Sequence, residues 1–174
     1  MFKKISALNF AAAALILAGA AAFQATTVER LTIENLARKA HSIVQGRVRG
    51  SRTYWSVNGK VILTTYTLEV EEAIKGKPGS TLEVTTIGGQ IGDLTLHVAG
   101  MPAFRSGERT IVFVEQSGNY STVTGLGQGK FTVSDGEIAN QVEGLTFPDG
   151  QQPRTLKMPL DTFKKQLRAI VDRQ

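Results

Sequence analysis

Cysteine is absent from all 174 residues of the chain, and only two histidines, His41 and His97, are present. Without cysteine the fold has no disulfide, and no thiol can serve as a nucleophile. The histidines do not belong to an HExxH pair or to any other metal-spaced pair. Asp93 and His97 are four positions apart, which on a strand separates them by about 13 Å. We therefore predict no bound metal and no cofactor.

Long apolar runs are equally scarce, and the one that occurs lies at the start of the sequence. Lys3 and Lys4 precede an uninterrupted run of apolar or small residues over 10–22, which ends in Ala20-Ala21-Ala22. The run has about 13 residues, fewer than the ~20 that a membrane-spanning helix needs. The pattern is typical of a secretory signal peptide over 1–22. It predicts an exported protein, periplasmic or extracellular, with no stable membrane anchor after cleavage.

The excess of positive charge is small. Lysine and arginine number 20 and aspartate and glutamate 15, and loss of Lys3 and Lys4 would leave 18 against 15. A surface for nucleic acid interleaves aromatic side chains with a basic patch. Only Tyr54-Trp55 beside Arg52 has that pattern here, so we predict that nucleic acid is not a partner.

Hydrophobic periodicity predicts a mostly β fold flanked by two helices. A period of 3.6 residues marks a short helix over 31–41 and an amphipathic helix over 160–172. Between them the period is two, with hairpin signals at Asn58-Gly59 and Asp135-Gly136. The predicted strands are 42–50, 61–74, 81–89, 94–98, 109–116, 120–125, 129–134 and 137–142. So many short strands indicate a barrel or a sandwich. The predicted organisation is a β-barrel domain over 28–146, a linker over 147–158 and a C-terminal helix over 159–174 that packs on the barrel.

The segment TGLGQGKF, residues 124–131, has the glycines and lysine of a phosphate-binding loop. A P-loop requires glycine where Thr124 stands and serine or threonine where Phe131 stands, and a helix should follow. The residues that follow alternate like a strand instead. We interpret the segment as a turn between strands, at a barrel corner or a bulge, in which Gly125, Gly127 and Gly129 lie on one face of an extended stretch. Glycines at alternate positions let a strand bend sharply or let another backbone approach. This interpretation places Lys130 on the surface.

Catalytic patterns are weak. Glu69 and Glu71 share a strand face at ~7 Å, which suits acid–base chemistry but is more often a solvated sheet face. No G-x-S-x-G motif is present. A Ser/His/Asp triad remains open, because its members need not be close in sequence.

Two regions are candidate surfaces for a protein partner. Arg52, Tyr54 and Trp55 lie beside the predicted Asn58-Gly59 turn, where the aromatic side chains either contact a partner or pack on the end of the barrel. Met101 and Phe104 lie in a glycine-rich irregular segment that is either a binding loop or a lid on the core.

Several segments together resemble a group of small exported bacterial proteins whose function is not established. The resemblance covers about residues 31–134 and rests on ARKAHSIVQGRVRG, YTLEVEEAIKGKPG, PAFRSGERTIVFV and GLGQGKFTV. Members of that group are often encoded near matrixin-like metalloproteases. The resemblance therefore implies a protease-associated role.

The first half of the chain is also distantly similar to the netrin-like module of tissue inhibitors of metalloproteinases. The matching positions are Ala40, Val44, Gly46, Val48, Tyr66, Val70, Lys75 and Gly76. This similarity implies an OB-like or related small barrel. Those inhibitors chelate the protease zinc through an N-terminal cysteine, which this chain lacks, so the inhibitory residue does not carry over.

The sequence thus predicts an exported, non-enzymatic binding or accessory protein with a protein partner, for which a secreted metalloprotease is one candidate. Two alternatives stay open: a small periplasmic hydrolase or glycan-processing enzyme, and a structural protein of the envelope.

Overall fold

A computed structural model describes residues 26–174, so the predicted signal peptide, 1–22, lies outside the described residues. Twelve strands and two helices are present in this part of the chain, with a 3-10 turn at Leu126–Gly129. In chain order they are β1 Thr26–Thr27, α1 Ile33–Lys39, β2 Ser42–Trp55, β3 Ile62–Lys75, β4 Thr81–Ile87, β5 Gly89–Ile91, β6 Leu94–Leu96, β7 Arg109–Ser117, β8 Tyr120–Val123, β9 Lys130–Ser134, β10 Glu137–Asn140, β11 Leu145–Thr146, β12 Lys157–Pro159 and α2 Leu160–Val171.

One antiparallel sheet of eight strands dominates the fold. Its order is β12-β10-β9-β7-β2-β3-β4, and β8 also pairs with β7. Val114 pairs with Ser42 of β2 and with Val123 of β8, so β8 lies on the edge of β7 opposite β2. β9 pairs with the same edge of β7 further along that strand, from Val112 to Arg109 of β7. β8 and β9 are therefore two parts of one interrupted strand, and the 3-10 turn lies at the interruption.

The sheet curls, and its two distant parts meet. β2 and β3 are long, and register shifts break their pairing at three places between Ile43 and Gly50. Such bulges increase local twist and bend a sheet. The edge strand β4 consequently comes beside β8. Within residues 26–174 no hydrogen-bonded ladder joins these two strands, so the sheet is curled but not closed by pairing.

Alternation along the central strands divides the core in two. Ile43, Ile111 and Phe113 face one way and pack with both helices, through side chains that include Leu36 of α1 and Phe163 of α2. Their sequence neighbours face the interior of the curl, where the core consists of Val44, Val48, Leu68, Val84, Phe104, Val112, Val114 and Val123. The helices therefore cover the outside of the sheet, and the inside has its own apolar core.

The predicted fold class is confirmed: the protein is mostly β, with a short N-terminal helix and a C-terminal amphipathic helix packed against the sheet. The predicted strand over 81–89 divides into β4 and β5 at Gly88. His97 lies just beyond β6 rather than within it. The short strands β1, β11 and β12 were missed, because two or three residues carry too little periodicity to be recognised. No helix among residues 26–174 is long and apolar enough to cross a membrane.

The glycine-rich segment is a turn, as predicted, but it is not extended. Gly125 adopts a left-handed conformation and opens the 3-10 turn. A Cβ atom built on Gly127 would lie 1.6 Å from the carbonyl oxygen of Gln141. One of the two expected roles of these glycines, the close approach of a second backbone, is therefore present, and it excludes any side chain at this position.

Candidate functional site

The carboxylates considered for acid–base chemistry are held in ion pairs. Glu69 pairs with Arg49, and Glu71 lies 2.6 Å from Nε of Arg109. Burial would raise the pKa of Glu71, but hydrogen bonds from Gln45 and Arg109 outweigh it and lower the pKa. A carboxyl group with a lowered pKa is a poor proton donor at neutral pH. The sheet face is therefore a network of ion pairs.

Arg52 and Tyr54 lie on one face of β2 and are occupied by their neighbours. Arg52 donates two hydrogen bonds to Glu83, at 2.7 and 3.1 Å. The Tyr54 hydroxyl hydrogen-bonds with that of Thr65 at 2.9 Å, and Thr65 continues to Thr85 at 2.8 Å. These side chains tie three strands together. The Tyr54 hydroxyl is committed to Thr65, whereas Arg52 is 61% exposed and bonds to Glu83 through two of its five N–H donors.

Trp55 projects to the opposite side, because adjacent residues of a strand alternate between faces. Its side chain is 43% exposed at the end of β2, and Val57, two residues further at the tip of the hairpin, is fully exposed. The structure therefore separates Trp55 from the other two predicted residues and places Val57 near it. The sequence reasoning missed Val57, although a valine beside an Asn-Gly turn is a detectable signal.

The turn that presents these two side chains is internally ordered. Gly59 has a φ of +68° and donates a backbone hydrogen bond to Ser56 at 2.7 Å. The Asn58 carbonyl Oδ1 accepts hydrogen bonds from the Ser56 hydroxyl and from the Lys60 amide. A preformed turn reduces the entropy that is lost on binding.

Phe104 is a core residue rather than a surface contact. It is 7% exposed, and its ring lies 4.8 Å from that of Tyr66 in the interior of the curl. The lid interpretation therefore holds for Phe104. Met101 is half-buried and lines a cleft described below.

Lys130 is fully buried, which corrects the prediction that it lies on the surface. Its Nζ atom pairs with Glu108, donates to Thr132 at 3.0 Å and lies 5.1 Å from the ring centroid of Phe104. Burial lowers the pKa of Lys130, and Glu108 only partly opposes this shift. The prediction failed because the position is closed by Glu108 and Phe104, which are more than twenty residues away in sequence.

A cleft of about 410 Å³ lies where β4 comes beside β8. Its lining comes from seven parts of the fold: the segment before α1, the end of α1, β4, the irregular loop before β7, β7, β8 and the 3-10 turn. The lining residues are Val28, Glu29, Leu31, Lys39, Thr85, Thr86, Ile87, Met101, Glu115, Ser117, Thr122, Val123, Thr124, Gly125, Leu126 and Gln128. The volume is within the range of ligand pockets. Because these parts are far apart in sequence, no local sequence pattern indicates the cleft.

Two polar groups in the lining of the cleft have no bonding partner. Glu115 is half-buried, and within residues 26–174 it takes part in no ion pair and no side-chain hydrogen bond. Burial raises its pKa, although Lys39 acts in the opposite direction. The Thr124 hydroxyl is buried and has no hydrogen-bond partner among residues 26–174. A buried polar atom without a partner is uncommon in folded proteins, and a carboxyl group with a raised pKa in a cleft often belongs to a functional site. This cleft is therefore a second candidate site.

Both histidines are exposed, and the described residues contain no cluster of three or more potential metal ligands.

Comparisons with family models, with curated proteins and with solved structures find no match to this chain.

Proposed function

We propose that the chain is an exported, non-enzymatic binding protein that docks a protein partner through the tip of its β2–β3 hairpin. The observation that carries this proposal is that Trp55, 43% exposed at the end of β2, and Val57, fully exposed in the turn, lie two residues apart beside an ordered turn. A large aromatic beside an exposed aliphatic side chain is a common anchor in protein interfaces. Export itself rests on the sequence of residues 1–22.

The ion pairs of β3 favour binding over catalysis at this face of the sheet. Glu69, Glu71 and Glu72 all lie in ion pairs with lysine or arginine. A general acid or base needs a pKa near the working pH and a free path to the substrate. Hydrogen bonds within these ion pairs lower the pKa of Glu71 and of Glu72, which does not suit that role. We therefore place the function in the exposed hairpin.

A secreted metalloprotease is the first candidate partner, on the strength of the resemblance described above. Inhibition through a zinc-chelating N-terminal cysteine has no counterpart here, since the chain has no cysteine. The proposed contact is therefore a docking contact through apolar side chains.

The test is capture of a partner from periplasm and culture medium with the mature chain and with Trp55→Ala. Loss of a hot-spot tryptophan weakens binding by about 2 kcal/mol or more, roughly 30-fold in affinity. Because Trp55 is nearly half exposed, the free energy of unfolding should fall by only about 1 kcal/mol. Thermal melting of the purified variant checks the second expectation.

The matched control is Leu94→Ala, which removes another exposed apolar side chain, on β6. It should capture the partner as the native chain does. Equal loss with both variants would indicate non-specific adhesion, and a large drop in the melting temperature of Trp55→Ala would show that Trp55 stabilises the fold. Either result contradicts the proposal.

A further inference from the structure

We infer that the cleft between β4 and β8 receives a basic side chain, lysine or arginine, from the partner protein. The inference deepens the proposed function and rests on it, because the side chain is supplied by the partner that the hairpin docks. The cleft would thus add a charged contact to the apolar contact at the hairpin. Three features of the cleft support the inference: an unpaired carboxylate, an apolar wall and a group of hydroxyls.

The unpaired carboxylate is that of Glu115. It lies in the lining of the cleft, half-buried, with no cation bonded to it in the described part of the chain. Lys39 also lines the cleft, but its Nζ atom is engaged by Glu29 at 2.6 Å. Two carboxylates therefore face one ammonium group, and the local charge favours an added cation. Partial burial strengthens such an interaction relative to water.

The apolar wall suits the stem of a long basic side chain. Val28, Leu31, Met101 and Leu126 line the same cleft as Glu115. Lysine and arginine bury their methylene stems along apolar surface while the charged end reaches a polar partner. A negatively charged or small polar ligand would leave this wall uncovered and would meet the Glu115 carboxylate unfavourably.

The hydroxyl groups lie where a cation needs further acceptors. Thr122 and Thr124 belong to the strand segment beside Glu115, since Thr122 pairs with Glu115 across the β7–β8 ladder. The Thr124 oxygen is buried and has no hydrogen-bond partner in the described part of the chain. An ammonium or guanidinium group donates several hydrogen bonds and accepts none. Carboxylate and hydroxyl oxygens together meet that requirement.

A pair of small probes tests the inference without the partner. The probes are Nα-acetyl-lysine N-methylamide and its norleucine analogue, which has the same backbone and an uncharged side chain. Each is titrated into the ¹⁵N-labelled mature chain, and amide shifts are followed by NMR. We expect saturable, millimolar binding of the lysine probe, with shifts confined to Lys39, Glu115 and residues 122–128. The norleucine probe should bind about tenfold more weakly or not at all.

Glu115→Gln keeps the shape of the side chain and removes its charge. It should reduce affinity for the lysine probe about tenfold, whereas Glu143→Gln, which neutralises an exposed glutamate outside the cleft lining, should not change it. Equal binding of both probes, unchanged binding by Glu115→Gln, or no saturable shift at all would overturn the inference. Trp55→Ala should bind the lysine probe normally, so failure of the hairpin contact and failure of the cleft contact give different results.

Discussion

At the scale of single residues, the largest surprise is a fully buried lysine. Lys130 follows three alternating glycines, a context that suggests an exposed turn. Its burial depends on Glu108 and Phe104, which the sheet and the irregular loop bring to it. The close approach at Gly127 could be predicted, because alternating glycines have a local structural meaning. The environment of Lys130 could not, because its closure by Glu108 and Phe104 arises from long-range contacts.

Lys130→Met should strongly destabilise the protein. Removing the ammonium group leaves Glu108, whose side chain is only 9% exposed, without its cation. Breaking one side of a buried pair costs about 3–5 kcal/mol. We expect a fall of this size in the free energy of unfolding, measured by urea denaturation.

Two further variants distinguish the effect of breaking the Lys130–Glu108 ion pair from the general effect of a substitution on stability. The double variant Lys130→Met/Glu108→Gln carries no uncompensated charge and should lose clearly less stability than Lys130→Met alone. Lys165→Ala, on the exposed side of α2, should change stability by no more than about 0.5 kcal/mol. A loss of less than about 1 kcal/mol for Lys130→Met would show that the ion pair does not support the fold.

At the scale of elements, periodicity predicted both helices and the long strands well. α2 places Phe163, Leu167 and Ile170 on one buried stripe, as its 3.6-residue pattern indicates. What periodicity does not show is which surface receives the helix. Part of the answer is Glu72 of β3, which accepts hydrogen bonds from Lys164 and Arg168 of α2. Such a pairing depends on strand order, which is not a local property.

The contact between α2 and β3 should make the free energy of unfolding depend on pH in the acidic range. Burial would raise the pKa of Glu72, but the hydrogen bonds from Lys164 and Arg168 outweigh it and lower the pKa below 4.5. A carboxyl group with a lowered folded-state pKa contributes stability above its unfolded pKa and loses it as pH falls through the folded pKa. The free energy of unfolding should therefore decline below about pH 4.5, and this decline should be smaller in Glu72→Gln.

Lys164→Gln should also reduce the fall in the free energy of unfolding at low pH, because it removes one of the two hydrogen-bond donors to the Glu72 carboxylate. Lys165→Gln changes the next residue, which does not bond to Glu72, and should leave the profile as in the native chain. Urea denaturation between about pH 3 and about pH 7 gives the free energy of unfolding as a function of pH for each variant. This interval extends about one unit or more to each side of the ordinary pKa values of carboxyl groups. Identical acid profiles for the native chain and Glu72→Gln would contradict the account.

At the scale of the whole molecule, composition and alternation were enough for a mostly β fold with two flanking helices. They did not predict how the sheet curls, because bulges in β2 and β3 set the curl and bring β4 beside β8. The cleft with Glu115 follows from that arrangement. The hairpin was the more predictable site, since the Asn58-Gly59 signal and the single tryptophan are both local. Even there, alternation should have separated Tyr54 from Trp55.

We propose that the hairpin tip is the docking surface, and the fluorescence of Trp55 can report directly on this contact. Trp55 is the only tryptophan of the chain, so its emission reports the hairpin alone. Replacing it with 7-azatryptophan keeps its signal distinct from the tryptophans of the partner. Quenching by acrylamide is then measured with and without a saturating amount of the captured partner. We predict ready quenching in the free protein and strong protection in the complex. Equal quenching in the two states would contradict the claim.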